Sequence, residues 1–220
     1  MCGRFVTNIP ADEIAEIFHL GEAPQLEPRY NVSPSQLVPV VRSAGEHNIL
    51  SPMKWGLVPS WSKDPSMGSH MINARSETVA EKPAFRHAIK YNRCIIPISG
   101  FYEWQAVEHH KQPYFTHLKG HAPMCLAGIW EHWTAPDGSV LETFSILTTS
   151  ANKLIEPIHE RMPVILKPAD FNLWLSRNMH DPHELVDIYK PYPVDEMIAY
   201  KVSDLVNNPK FDSPSCIARV

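Results

Sequence analysis

Long apolar runs are missing from this sequence of 220 residues. A membrane-spanning helix needs about 18 or more consecutive apolar residues, and no stretch reaches that length. The first residues also lack the basic segment followed by an apolar one that marks a secretory signal. We therefore expect no membrane span, no export and a cytoplasmic location.

Cysteine is scarce, with four residues at positions 2, 94, 125 and 216. They form no Cys-x-x-Cys pair, so the sequence indicates no disulfide framework. Phosphate-binding loops, dinucleotide fingerprints and His-Glu-x-x-His motifs are absent as well. His117, His121 and Cys125 are spaced by four, but Gly120 and Pro123 interrupt any helix that would align them. We expect no metal site and no cofactor.

Basic residues are not in excess, because 20 Lys and Arg stand against 24 Asp and Glu, giving a net charge of −4. The overall charge therefore does not favour binding to nucleic acid. Any such binding would need a local cluster of arginines on an acidic protein.

Proline is abundant, with 21 residues, and most prolines lie between or beside short apolar stretches. This pattern predicts many short strands joined by rigid loops, with helices at the periphery, in an α+β fold. The length predicts one domain spanning residues 1–220. The expected helices are 10–20, 83–90, 169–175 and 183–189, and the expected strands are 36–42, 48–56, 93–98, 113–118, 123–131, 141–150 and 197–202.

The most unusual feature is a cysteine directly after the initiator methionine. Removal of Met1 would leave Cys2 with a free α-amine (pKa ~7.8) beside its thiol (pKa ~8.5). Such an aminothiol can condense with an aldehyde to an imine and then close a thiazolidine ring. Alternatively, the amine can serve as general base for its own thiol, as in N-terminal-nucleophile hydrolases. Arg4, a permanent cation, is expected to favour the thiolate.

Three other stretches carry candidate polar groups. Asn73, Arg75 and Glu77 would share one face of an extended chain. Glu103 follows a buried strand among aromatic residues, where burial favours proton transfer. His159 and Arg161 point the same way just before another apolar strand. Each stretch has a structural alternative, such as a surface ion pair, an emerging carboxylate or a packed histidine.

Seven short motifs occur in order along the chain: Met1–Phe5, Arg29–Pro34, Trp55–Trp61, Ile72–Thr78, Gly100–Trp104, Ile158–Val164 and Val206–Pro209. Together they closely resemble the SOS response-associated peptidase (SRAP) family, the abasic-site shield proteins. The resemblance extends from residue 2 to about residue 217.

The resemblance implies a single SRAP domain on a curved, mainly antiparallel, barrel-like sheet. It implies a protein that crosslinks covalently to abasic sites in single-stranded DNA, as a monomer, and is associated with the nucleoid when bound. The family's catalytic set falls on Cys2, Asn73, Glu103 and His159. Phosphate contacts are expected from Arg4, Arg75 and Arg161, and base stacking from Trp61 and Trp104, although Ser62 replaces a second aromatic residue present in some relatives.

Other functions remain open from the sequence. An N-terminal-nucleophile cysteine amidohydrolase also begins Met-Cys-Gly, and a non-catalytic single-strand DNA binder would need no reactive Cys2. Removal of the protein's own Met1 and weak lyase activity at abasic sites are both compatible with crosslinking. For Trp61, a packing lid is the alternative to a stacking platform.

Overall fold

The fold is given by a computed structural model that describes residues 2–22 and 25–220. Within these residues the chain forms thirteen strands and three α-helices. The strands are β1 (Phe5–Thr7), β2 (Arg29–Val32), β3 (Leu37–Ser43), β4 (Asn48–Trp55), β5 (Asn73–Arg75), β6 (Arg93–Ile98), β7 (Gly100–Val107), β8 (His110–Leu118), β9 (Met124–Thr134), β10 (Val140–Ser150), β11 (Arg161–Pro163), β12 (Ile165–Leu166) and β13 (Met197–Lys201). The helices are α1 (Ala11–Phe18), α2 (Ala88–Tyr91) and α3 (Phe171–Leu175). Short 3₁₀ helices lie at Pro65–His70, Lys119–His121, Pro168–Asp170, Pro182–Leu185, Val194–Glu196, Asp204–Asn207 and Pro214–Ile217.

Five strands close into a barrel. The ring runs β10-β4-β3-β6-β9, and β9 pairs back onto β10. All these pairs are antiparallel except β4 with β10, which are parallel. The short strand β5 adds a second parallel pairing to β10, with Asn73 opposite Ile146 and Arg75 opposite Thr148. The expected curved, mainly antiparallel, barrel-like sheet is therefore confirmed, and the α+β class with it.

A second sheet, in the order β13-β8-β7-β1-β2, places the amino terminus inside the molecule. In this sheet β1 lies between β7 and β2, and Phe5 pairs with Phe101 on one side and Val32 on the other. The backbone N–H of Tyr102 donates to the carbonyl of Arg4. The chain's first residues are therefore held alongside β7.

Side chains on alternate barrel positions form two apolar layers, as the strand repeat of two requires. One layer contains Val40, Trp55, Ile96 and Ile146, and Cys2 packs within this same cluster. The opposite layer packs against the helices, which therefore cover the outside of the barrel. Cys2 is thus surrounded by the apolar centre of the protein.

The sequence predicted the long strands well and the short helices poorly. The expected helices 10–20 and 169–175 are confirmed as α1 and α3, but the expected helix 83–90 contains α-helix only from Ala88, where α2 begins. The expected helix 183–189 is wrong: Pro182–Leu185 forms a 3₁₀ helix that ends in turns. The expected hairpin at Asp137-Gly138 joins β9 to β10.

Within the part of the chain that the structure describes, no helix is both long and apolar enough to cross a membrane.

Candidate active site

Four elements bring the predicted catalytic residues to one region. Cys2 precedes β1, Asn73 begins β5, and Glu103 lies in β7 opposite Tyr114 of β8. His159 lies two residues before β11. These elements are distant in sequence, and the two sheets bring them together.

The backbone of Cys2 is fixed by Asn73. The side-chain amide of Asn73 donates a hydrogen bond of 2.9 Å from Nδ2 to the carbonyl oxygen of Cys2. The other amide atom, Oδ1, is buried and accepts no hydrogen bond from the residues that the structure describes. Asn73 is itself held in strand β5, next to Ile72, whose carbonyl accepts the indole N–H of the buried Trp55. The position of Cys2 is therefore set by the barrel wall.

The surroundings of the Cys2 thiol disfavour its ionised form. Burial in the apolar cluster raises the pKa of this thiol far above its usual range, and the negative charge of Glu103 raises it further. A hydrogen bond with the Arg4 backbone acts in the opposite direction but is a smaller effect. Arg4 therefore does not determine the pKa of this thiol, contrary to the expectation that it favours the thiolate. A protonated thiol is a weak nucleophile.

Glu103 lies in the interior, with 3% of its surface exposed. Its charge acts on the Cys2 thiol and raises the pKa of that thiol, so the carboxylate lies on the same side of the interior as Cys2. The sequence placed this glutamate at the end of a strand, whereas it lies within β7, which continues to Val107.

His159 is held in one tautomer. Its Nδ1 accepts a hydrogen bond of 2.9 Å from the backbone N–H of Arg161. An accepting ring nitrogen carries no proton, so the neutral imidazole bears its proton on Nε2. His159 can therefore donate a hydrogen bond from Nε2.

An open groove of about 530 Å³ connects Glu103 and His159. Four other residues of its lining had no predicted role: His110, Lys111, Asp204 and Asn207. His110 and Lys111 are the first two residues of β8. Asn207 lies in the Val206–Pro209 motif, which carried the family resemblance without a role.

The three predicted phosphate-binding arginines differ in their surroundings. Arg75 is exposed, whereas Arg4 is half-buried and donates from Nη1 to Asn31 Oδ1 (2.8 Å) and to the carbonyl of Val206 (2.9 Å). Burial lowers the pKa of Arg4 from its usual value. Arg161 is 8% exposed and forms a two-pronged ion pair with Glu77. Arg75 is therefore the arginine that can reach a ligand without losing a protein partner, and phosphate contacts of all three stay a prediction.

Asn31 connects both ends of the chain at this point. Its buried amide donates to the carbonyls of Phe211 (2.7 Å) and Asn208 (3.0 Å) while its Oδ1 accepts from Arg4. The sequence singled out this asparagine only as part of a motif. The signal that was overlooked is a polar residue inside a short strand.

The two predicted stacking residues lie in different environments. Trp61 is 59% exposed in the loop 57–67, here called the tryptophan loop. The base of this loop is closed by Gly56 and Gly68, whose backbones touch, and Trp133 donates from Nε1 to the carbonyl of Ser62. Trp104 lines the groove and donates from Nε1 to Asn207 Oδ1 at 2.7 Å.

Across residues 2–22 and 25–220, no group of three or more His, Cys, Asp or Glu side chains is arranged to hold a metal ion.

The fold and the site together define an α+β barrel protein in which β5, β7 and the barrel interior converge on Cys2. Comparison with known proteins gives this class a family: the chain belongs to the SOS response associated peptidase (SRAP) family, whose model matches residues 1–209.

Named relatives support the assignment. The chain is 44% identical over 221 residues to the abasic site processing protein YoqW of Bacillus subtilis, covering 99% of both chains. It is 32% identical over 269 residues to the abasic site processing protein HMCES of Mus musculus, covering 99% of this chain and 76% of that one. A crystal structure of a Bacteroides thetaiotaomicron protein superposes with a TM-score of 0.90 at 28% identity, covering 100% of both chains.

Proposed function

We propose that this protein recognises abasic sites in single-stranded DNA and crosslinks to them through Cys2 once Met1 has been removed. The observation that carries the proposal is the contact between Asn73 and the Cys2 carbonyl beside the buried Glu103. The relatives that are named abasic site processing proteins suggest the substrate. An abasic site is a masked aldehyde, and an aldehyde is the electrophile that an aminothiol prefers. Met1 itself lies outside the described residues.

The protonation state of the Cys2 thiol sets the order of the steps. Because burial raises the pKa of the Cys2 thiol and so disfavours the thiolate, we propose that the α-amine attacks first. His159 donates a hydrogen bond from Nε2 to the deoxyribose ring oxygen O4′. The C1′–O4′ bond then breaks, the proton of the C1′ hydroxyl passes through solvent to O4′, and C1′ becomes the aldehyde carbon. The amine lone pair then forms a bond to C1′, and the resulting hemiaminal loses water to give an imine.

Glu103 is the group proposed to carry protons in this sequence. It takes the proton that the attacking amine releases and returns it to the departing hydroxyl, which leaves as water. The sulfur then adds to the imine carbon while its proton passes to the imine nitrogen. The five-membered ring contains sulfur, nitrogen, C1′ and the two cysteine carbons, and one water is released overall.

The DNA strand is proposed to follow a local cationic path across an otherwise acidic protein. Arg75 offers an exposed guanidinium, and Lys111 adds a cation at the rim of the groove. Arg4 and Arg161 are proposed to contact phosphates as well, while Arg4 keeps its hydrogen bond to Asn31 and Arg161 keeps its ion pair with Glu77. Trp61 and Trp104 are proposed to stack on the bases that flank the gap.

Two accessory activities belong to the same proposal. Removal of Met1 by the protein's own site would explain the peptidase in the family name. Weak lyase activity would follow from the imine: a base removes a C2′ proton, the C3′–O bond breaks, and the phosphate leaves with its electron pair. We further propose that the protein acts as a monomer, in the cytoplasm and at the nucleoid.

The test is a denaturing gel after incubation with a single-stranded oligonucleotide that carries one abasic site. The N-terminus is first checked by mass, and Cys2→Ala and an undamaged oligonucleotide serve as controls. A shifted band that needs both Cys2 and the lesion is the expected result, and a cleaved strand lost in Cys2→Ala would add lyase activity. Without any shifted band from protein that begins at Cys2, the proposal fails, and glutamine hydrolysis becomes the next activity to measure.

A further inference from the structure

The guanidinium of Arg161 is clamped inside the protein. Nη1 lies 2.6 Å from Glu77 Oε1, and Nη2 lies 2.8 Å from Glu77 Oε2, the fork-to-fork geometry of a strong ion pair. Nη2 also donates to the carbonyl of Thr148 at 2.6 Å. The remaining donor, Nε, is buried and has no partner among the described residues. The side chain of Arg161 therefore has little freedom to move.

The backbone of the same residue controls His159. Arg161 is the first residue of β11 and pairs with Ser150 of β10. Its N–H donates to His159 Nδ1, two residues earlier in the chain. This hydrogen bond restricts the plane of the imidazole and favours the tautomer that carries its proton on Nε2. Any rotation of Arg161 would therefore be transmitted to the proton on Nε2.

We propose that Glu77 is a positioning residue: by clamping the Arg161 side chain, it fixes the Arg161 N–H that keeps His159 in the Nε2–H form. The consequence for crosslinking rests on the proposed function, whereas the effect on His159 does not. Glu77 touches neither the reacting atoms nor the imidazole in this arrangement, so its influence passes through Arg161.

The segment that carries Glu77 also carries the residue that holds Cys2. Glu77 follows β5, and β5 begins with Asn73, the residue that holds the Cys2 carbonyl. Five consecutive residues therefore position the nucleophile at one end and the proton donor at the other. Half of the Glu77 side chain is exposed, so its loss would let water reach Arg161 without opening the core.

Without the Glu77 carboxylate, the Arg161 clamp loses one of its two anchors. Nη1 would have to find another acceptor, and Thr148 would hold only Nη2. A charged group next to the surface then turns toward water, because a buried unpaired guanidinium is strongly unfavourable. The first residue of β11 turns with it, and the hydrogen bond to His159 weakens.

Nitrogen-15 NMR of the histidine side chains in the free protein tests this directly, because the two ring nitrogens report the tautomer. The His159 signal is assigned with His159→Gln. Wild type should show the Nε2–H form alone, Glu77→Gln a mixture of tautomers, and Glu77→Asp an intermediate mixture. Glu81→Gln removes the same charge from the same side of the protein and should match wild type.

Kinetics supply the second readout. At saturating abasic DNA, the Glu77→Gln rate constant should fall by about tenfold to a hundredfold, part of the ~10²–10⁴ that a positioned acid contributes. Its affinity for undamaged strand should not fall, because Arg161 becomes free to bind phosphate. Thermal unfolding confirms that each variant is folded, and Glu77→Asp replaces Glu77→Gln if the latter is not.

An unchanged His159 tautomer in both Glu77 variants would overturn the inference. If the tautomer shifts but wild-type protein forms no crosslink, the positioning stands and the proposed function fails instead.

Discussion

Replacing Asn73 by alanine is expected to slow crosslinking about a hundredfold, because orientation of the reacting groups is lost, while stability stays nearly unchanged. The crosslinking rate and the stability respond differently because the two polar atoms of the Asn73 amide have different surroundings. Its Nδ2 makes one hydrogen bond to the Cys2 carbonyl, and its Oδ1 is buried without a partner among the described residues.

The stability estimate follows from these two atoms. Loss of the hydrogen bond leaves the Cys2 carbonyl without this donor and destabilises by about 1–3 kcal/mol, whereas removal of the buried unsatisfied Oδ1 returns about 1–3 kcal/mol. The net change for Asn73→Ala should therefore lie within about 1 kcal/mol of zero. Asn73→Asp should be about 2 kcal/mol or more worse than alanine, because a carboxylate cannot donate and its charge would face the Cys2 carbonyl oxygen.

Urea unfolding measures the stabilities, and single-turnover crosslinking to an abasic oligonucleotide measures the rates. Asn172→Ala is a matched control, since Asn172 is an exposed asparagine on α3. A wild-type crosslinking rate in Asn73→Ala would refute the positioning role. Equal stability of the alanine and aspartate variants would refute the assignment of Nδ2 as the donor.

Two further predictions concern the thiol and the tryptophan loop. Glu103→Gln should lower the pKa of the Cys2 thiol, because the substitution removes a neighbouring negative charge. That pKa should still stay above its ordinary value, because burial is the larger cause of the shift. Peptide-resolved alkylation of Cys2 across a pH series measures the pKa, and a profile unchanged from wild type would contradict the prediction. Gly56→Ala should destabilise by about 2 kcal/mol or more and weaken binding to single-stranded DNA, since Gly56 has φ +122° and its Cβ would lie 2.5 Å from the Gly68 oxygen. Gly45→Ala has a similarly positive φ with open space around it, so an equal loss in both variants would show that backbone strain alone is responsible.

The sequence indicated the long strands and the reactive terminus because both are local signals. The strand β6 was predicted from consecutive apolar residues, and its confirmed range is Arg93–Ile98. Cys2 was singled out by its position and by the chemistry of an aminothiol. Such features need no knowledge of what the chain packs against.

Closure of the barrel could not be predicted in the same way. It depends on the parallel contact of β4 with β10, which joins Trp55 to Phe144 across almost ninety positions. Side-chain alternation shows which face of a strand is apolar but not which strand lies beside it. The raised pKa of the Cys2 thiol was missed for the same reason, because it results from burial by residues far along the chain.

The ion pair between Arg161 and Glu77 could not be predicted from residue types alone. An arginine beside a histidine in a family of DNA-processing proteins suggested a phosphate contact. The pattern at residues 73–77 suggested a surface ion pair as an alternative, and the structure joins the two stretches, since Glu77 pairs with Arg161 over a separation of 84 residues. Spacing along the chain carries no information about such a partner.

The tie between the two ends of the chain has a consequence for biosynthesis. Arg4 bonds to the carbonyl of Val206, 202 residues later, and Asn31 bonds to Phe211, 180 residues later. A ribosome releases the amino terminus first, so Cys2 leaves the exit tunnel long before the segment that secures it has been made. During that interval any cellular aldehyde can reach the aminothiol once Met1 has been removed. On the proposed function, removal of Met1 before the chain is complete would expose the Cys2 aminothiol to such aldehydes, whereas removal after folding would not.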